Sequence, residues 1–181
     1  MRKSVGQTIH DLRLPSIDGT QFQLDQFQGK RFMLSFFRFA ACPFCNLRIH
    51  ELVSHYDELG NNFGIVAIFD SPLVNLQRYA ERHHAPLPIL ADEHNSYYRE
   101  YGIERSLAGT LKGPALHMPS VLYATVVKGY WPTHFGGKLT TMPADFLIDE
   151  GRVIRTAYYG KDEGDHLSFK QVKAFACGDL T

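Results

Sequence analysis

An α/β fold, with a central mixed sheet flanked by helices, is predicted by three features of this 181-residue chain. Residues 63–69 form an almost unbroken apolar run of Phe, Gly, Ile, Val and Ala, as expected of a central parallel strand buried on both faces. Short runs of this kind alternate with stretches of helical spacing, which implies right-handed parallel crossovers. Two cysteines, Cys42 and Cys45, fall where one apolar run, residues 32–37, gives way to a helical pattern.

Taken in order, Ile17-Asp18-Gly19-Thr20 is a turn signal between the alternating runs 11–14 and 21–24, and predicts an N-terminal hairpin. Residues 31–37 supply the next strand. Beyond it Cys45, Ile49, Leu52, Val53, Tyr56 and Leu59 recur at three- and four-residue intervals and define the buried face of a helix. Asn46, Arg48, Glu51, Ser54, Asp57 and Glu58 fill its polar face. Pro43 suits the first helical position, where a missing N–H costs little. The strand 63–69 ends at Asp70-Ser71-Pro72, a cap followed by proline, which starts a helix running to about His84. Residues 87–90 read as a short strand, and 92–101 as a short helix stopped by Gly102.

The segment 103–138 mixes Pro114, Pro119 and Pro132 with the apolar run 121–127 and with Tyr130, Trp131 and Phe135. It reads as an insertion within a single domain spanning 1–181. Closing over the cysteine pair, mediating a homodimer and packing on the core all stay open for it. Regular structure resumes with a strand at 144–149, a hairpin turn at 149–152 with Gly151 in place, and a strand at 153–159. Ser168 and Gln171 form a capping box for a last helix that carries Phe169, Val172, Phe175 and Ala176 and ends at Gly178.

With 44% hydrophobic and 13% aromatic residues the chain can bury one sizeable core. Lys plus Arg and Asp plus Glu both number 19, so there is no electrostatic footprint for nucleic acid or an anionic membrane, and small or neutral partners are favoured. Residues 1–10 lack the apolar core of a signal peptide, and no stretch is long enough to span a bilayer. The expected address is the cytoplasm. Three cysteines are too few for a secreted disulfide framework, in keeping with a reducing compartment.

A strand-to-helix junction sets Cys42 at a helix N-terminus, where unpaired N–H groups and the macrodipole favour the thiolate, the nucleophilic form. Cys42 is expected at the exposed helix mouth and Cys45 at the start of the buried stripe. Cys42 then attacks, and Cys45, one turn later, displaces the intermediate as an intramolecular disulfide. Zinc also suits two cysteines at this spacing, but there is no second pair, and His50 and His55 complete no evident ligand quartet. A pair of inert buried thiols, a redox-sensing or metal-binding module without turnover, and an interaction protein built on 103–138 remain alternatives.

The succession of hairpin, strand, CxxC, helix and buried strand, followed by Thr141-Met142-Pro143 ahead of a strand hairpin and a helix, resembles the thioredoxin-like superfamily. Within it, Leu14-Pro15-Ser16-Ile17-Asp18-Gly19, Phe36-Phe37-Arg38 and Asp145-Phe146-Leu147-Ile148-Asp149 look like the peroxiredoxin-like AhpC/TSA family. The resemblance implies a thioredoxin-like fold and an oxidoreductase, either a thiol–disulfide oxidoreductase or a thiol peroxidase. It implies a redox-active Cys42–Cys45 disulfide, a peroxide or disulfide as oxidant, a thioredoxin- or glutathione-type thiol as reductant, and no bound cofactor. It also implies a cis Pro143 lying against the CxxC, with the Met142 backbone left to pair with an extended substrate.

The chain departs from the family's pattern in several places. Ser35 and Phe39 stand where peroxiredoxins carry a proline and a threonine, and Pro143 stands where they carry an arginine that helps hold the peroxide. Ala41 and Phe36 replace the tryptophan and the buried acid of classical thioredoxins. Arg38, four residues before Cys42, is a candidate to supply positive charge near the thiolate. Cys177 is expected to be a buried structural cysteine, and the histidines, His83 and His84 included, to be solvated or capping.

Overall fold

The N-terminal hairpin forms where the turn signal places it: β1 (Arg13–Pro15) pairs antiparallel with β2 (Gln21–Gln23). Gly19 takes the left-handed conformation the turn needs, φ +85°, and Asp18 Oδ1 accepts from the Thr20 N–H at 2.9 Å. The computed structural model describes residues 1–80, 85–103 and 140–179. The expected helix end near His84, the His83-His84 pair and nearly all of the 103–138 segment lie outside the described residues.

β3 (Arg31–Phe37) is the middle strand of a five-stranded sheet. It is followed by α1 (Pro43–Ser54) and then by β4 (Phe63–Phe69), which lies parallel to β3 in register from Arg31 opposite Phe63 to Phe37 opposite Phe69. After α2 (Leu73–Ala80) comes β5 (Ile89–Ala91), parallel to β4 at the sheet edge. α3 (Ser96–Glu100) precedes β6 (Ala144–Ile148), which runs antiparallel to β3, and β7 (Ile154–Tyr159) runs antiparallel to β6. α4 (Phe169–Cys177) closes the order. The sheet reads β5-β4-β3-β6-β7, mixed as expected.

Alternation along β3 divides the core between the two faces of the sheet. Met33 and Phe37 join Ile49 and Leu52 of α1 and Val172 and Phe175 of α4 on one face. Phe32, Leu34 and Phe36 join Leu14 and Phe22 of the hairpin and Tyr98 of α3 on the other. Every residue of β4 is buried, as its apolar run requires. Each such large side chain contributes about 1.5–3 kcal/mol on burial. No helix among the described residues is long and apolar enough to cross a membrane.

Several boundaries differ from the sequence expectation. α1 stops at Ser54, and Tyr56–Leu59 continues as a separate 3-10 turn that ends at Gly60, φ +76°. The helix expected from Asp92 begins at Ser96, because the Asp92 carboxylate accepts from the N–H groups of Ser96 and Tyr97 at 2.9 and 2.8 Å and so acts as a cap from outside the helix. In the β6–β7 turn the left-handed residue is Arg152, φ 63°, and not Gly151. Asp149 Oδ1 binds the N–H groups of Gly151 and Val153 and fixes that geometry. At α4 both arms of the capping box are present, and Gly178 ends the helix at φ 86°.

Pro143 is not cis; all peptide bonds among the described residues are trans. The Pro143 carbonyl accepts from Gly160 N–H at 2.9 Å, so the chain is already aligned beside the end of β7 as it passes into β6. No sharp reversal is needed, and the trans isomer is favoured by about 0.5–1 kcal/mol.

Candidate active site

Cys42 is the N-cap of α1, with extended backbone (φ −67°, ψ 120°), and Pro43 takes the first helical position. Its N–H donates to the Phe39 carbonyl at 3.0 Å, and its carbonyl accepts from the Asn46 N–H at 3.1 Å. Asn46 also clamps this turn with its side chain, Nδ2 donating to the carbonyls of Cys42 at 2.8 Å and Ala40 at 3.0 Å. Asn46 is therefore buried, where helical spacing had put it on the polar face. Arg48 is buried for a similar reason: it donates to the Leu167 carbonyl at 2.7 Å and pairs with Glu51 at 2.6 Å.

Cys42, expected at an exposed helix mouth, has no exposed surface, and neither has Cys45. The two thiols nonetheless differ in acidity. Burial alone would raise the Cys42 thiol, but hydrogen bonds from the side chain and backbone of Cys45, together with the Arg38 charge, outweigh it and bring the pKa down to about 7. Burial pushes the Cys45 thiol well above its ordinary value, and its hydrogen bond to Cys42 adds to the effect. One sulfur is thus poised as thiolate and its neighbour is held as thiol.

Arg38, just past β3, is almost fully buried. Its Nε donates to the Thr141 carbonyl at 3.0 Å, and its Nη1 lies 2.6 Å from Glu163 Oε1 and 3.8 Å from Cys42 Sγ. Behind it, Thr141 Oγ1 donates to Asp70 Oδ2 at 2.6 Å, and Asn95 Nδ2 donates to the other Asp70 oxygen at 2.7 Å. Phe39, in the place of the family's threonine, lies with its ring centre 5.3 Å from the guanidinium carbon. Arg38 thus meets Cys42, as the sequence suggested. Met142 and Pro143 are buried one and two positions beyond Thr141 and line a cavity of about 320 Å³ with Arg2, Tyr159, Gly160 and Lys161.

A second polar cluster crosses the same face of the sheet. Ser35 of β3 sits opposite Asp145 of β6, and its hydroxyl donates to Asp145 Oδ1 at 2.6 Å. His166 Nδ1 contacts both Asp145 oxygens at 3.0 and 3.1 Å, and Leu167 N–H donates at 2.7 Å. Burial opposes ionisation of Asp145, but His166, Arg48 and Ser35 more than offset it and hold the carboxyl below the usual range. Arg48 Nε and His166 Nε2 are buried without a hydrogen-bond partner among the described residues.

Glu163, Thr141 and the Ser35–Asp145–His166 cluster were not anticipated as part of this region. Ser35 and Asp145 did carry a signal, each being the one polar residue inside an otherwise apolar strand run; Glu163, in a loop of Asp, Glu and Gly, carried none. Cys177 is exposed rather than buried, since it falls off the Val172–Phe175 stripe at the end of α4. Among the described residues no group of three or more His, Cys, Asp or Glu side chains stands together to hold a metal.

The AhpC/TSA family profile matches residues 5–157. Peroxiredoxin Bcp of Escherichia coli (strain K12) is 30% identical over 107 residues, which span 58% of this chain and 69% of that protein. Thiol-disulfide oxidoreductase ResA of Geobacillus thermodenitrificans (strain NG80-2) is 27% identical over 103 residues, 55% of this chain and 58% of that one. Among solved structures, peroxidoxin BcpB of Mycobacterium tuberculosis shares the fold with a TM-score of 0.67 at 18% identity, covering 97% of this chain and 95% of its own. The chain belongs to the AhpC/TSA family, an oxidoreductase on the peroxiredoxin-like version of the thioredoxin fold.

Proposed function

We propose that this protein is a thiol-dependent oxidoreductase that cycles Cys42 and Cys45 between dithiol and disulfide, with a small hydroperoxide as oxidant. The observation that carries the proposal is the geometry of the buried pair: Cys42 at the N-cap of α1 with Arg38 Nη1 3.8 Å from its sulfur, and Cys45 one turn on, an arrangement that lowers the Cys42 thiol and raises the Cys45 thiol. The Cys42 thiolate attacks one peroxide oxygen and the O–O bond breaks. The departing alkoxide develops its charge near the Arg38 guanidinium and leaves as an alcohol after taking a proton from water. Cys42 is now a sulfenic acid, two electrons oxidised. The Cys45 sulfur then attacks it, an S–S bond forms, and the hydroxyl leaves as water. An external thiol of thioredoxin or glutathione type restores the dithiol, a cycle suited to a reducing compartment such as the cytoplasm.

Full burial of both sulfurs favours a small oxidant over an extended peptide disulfide. Met142, whose backbone the family resemblance would pair with such a peptide, is itself buried. Arg38 also brings a guanidinium to the nucleophile from the strand side, in a family whose usual arginine position is filled here by Pro143.

Single-turnover oxidation of the reduced protein by hydrogen peroxide, followed by thiol labelling and mass mapping, tests this. A Cys42–Cys45 disulfide should form in the unaltered chain. Cys45→Ser should trap a sulfenic acid on Cys42, and Cys42→Ser should consume peroxide only at the slow rate of an ordinary free thiol such as the exposed Cys177. Slow reaction with peroxide but fast exchange with a small disulfide would reassign the oxidant; inertness to both would sink the proposal.

A further inference from the structure

Three elements bring charge to one point: Arg38 follows β3, Cys42 caps α1, and Glu163 lies in the 160–167 loop between β7 and α4. The nitrogen that approaches the sulfur, Arg38 Nη1, is the same one that binds the carboxylate, at 3.8 Å from Cys42 Sγ and 2.6 Å from Glu163 Oε1. The guanidinium is anchored from behind through Nε to the Thr141 carbonyl, which is itself braced through the Thr141–Asp70 hydrogen bond. Nη1 is thus within reach of both the carboxylate and the sulfur and sits closer to the carboxylate. Both Arg38 and Glu163 are buried, so neither charge is screened by water.

We propose that Glu163 is a positioning residue that sets the reactivity of Cys42 by holding the Nη1 end of Arg38 on its carboxylate, so that withdrawing the carboxylate turns the guanidinium onto the thiolate. This deepens the redox role given to Cys42 above and rests on it. Among the described residues, the groups that act on Cys42 from the packed elements are Cys45 on α1, Arg38 after β3 and Glu163 in the loop. Arg38 favours the thiolate and Glu163 disfavours it. Loss of the carboxylate therefore works twice in one direction: it removes a nearby negative charge and it frees the positive one.

The decisive measurement is the pH profile of Cys42 alkylation by iodoacetamide in the reduced full-length chain, read at Cys42 by mass mapping. The midpoint is the readout, because easier access alone raises the plateau without moving the midpoint. Glu163→Gln should shift the midpoint to lower pH, with alkylation at about pH 6, relative to the plateau, about three- to tenfold faster than in the unaltered chain. Glu163→Asp, which keeps the charge but draws it back from Nη1, should give a smaller shift in the same direction; if Glu163→Gln does not fold, this variant decides alone. In an Arg38→Met background Glu163→Gln should shift the midpoint far less, since its main route of action is gone. An unchanged or raised midpoint in the folded variants overturns the proposal even if peroxide turnover persists. A lowered midpoint in a protein inert to peroxide and disulfide upholds it and fells the proposed function instead.

Discussion

The Asp145 cluster and the Cys42 cluster occupy the same side of the sheet, and both draw on the 160–167 loop, yet they are built to different ends. Asp145 receives Ser35 Oγ from β3 and His166 Nδ1 and Leu167 N–H from the loop, so its carboxylate is over-determined and the strand–loop junction is locked. At Cys42 the arrangement is the reverse: one guanidinium nitrogen serves a carboxylate closely and a sulfur at greater distance. A fully committed buried charge holds structure in place, and a divided one can tune a reacting atom.

Asp145→Asn tests the structural side and should have the largest effect. It removes the buried carboxylate that accepts from Ser35, His166 and Leu167 and should cost about 3–5 kcal/mol in urea unfolding, while the Cys42 alkylation midpoint stays in place. The sign of the pH effect follows from the same carboxylate. Asp145 ionises at lower pH when folded than when unfolded, so its contribution is fully present above the unfolded value of about 4 and is lost as pH falls through the folded value. Unfolding curves at falling pH should therefore lose this part of the acid sensitivity in the variant.

Arg38→Met probes the adjustable side. It should raise the Cys42 thiol from about 7 toward that of a free cysteine, and slow neutral-pH alkylation about tenfold. A midpoint left unmoved would mean that Arg38 only holds the Thr141 and Glu163 segments together. Ser168→Ala, which removes the cap of α4 next to the Asp145 cluster, should have the smallest effect, about 1 kcal/mol in the same unfolding assay, with no change at Cys42. A change in thiol reactivity there would show that the two clusters are coupled through the loop.

The sequence announced what is periodic and local. β3 and β4 match the expected strands residue for residue, and the α4 capping box and its glycine stop were readable from Ser168, Gln171 and Gly178. The cysteine pair and Arg38 were readable because their spacing within one strand–helix unit fixes how they meet. What depends on contacts across the chain was not legible. Asn46 and Arg48 looked solvent-facing because helical spacing does not reveal that the carbonyls of Ala40 and Leu167 come to meet them. Glu163 follows Arg38 by 125 residues, and only the return of β7 beside β6 brings it to the guanidinium.

Placing Cys42 at the N-cap and Cys45 in the first turn of one helix would also, under the proposed cycle, set how long an oxidised sulfur survives. In the cycle proposed above the resolving thiol would be tethered three residues away on the same helix, with no distant segment to recruit. Intramolecular proximity of this kind outpaces a second encounter with dilute oxidant. Under that cycle the kinetic partition would run toward the reversible disulfide and away from irreversible sulfinic acid, favouring endurance through bursts of oxidant over inactivation as a signal of them.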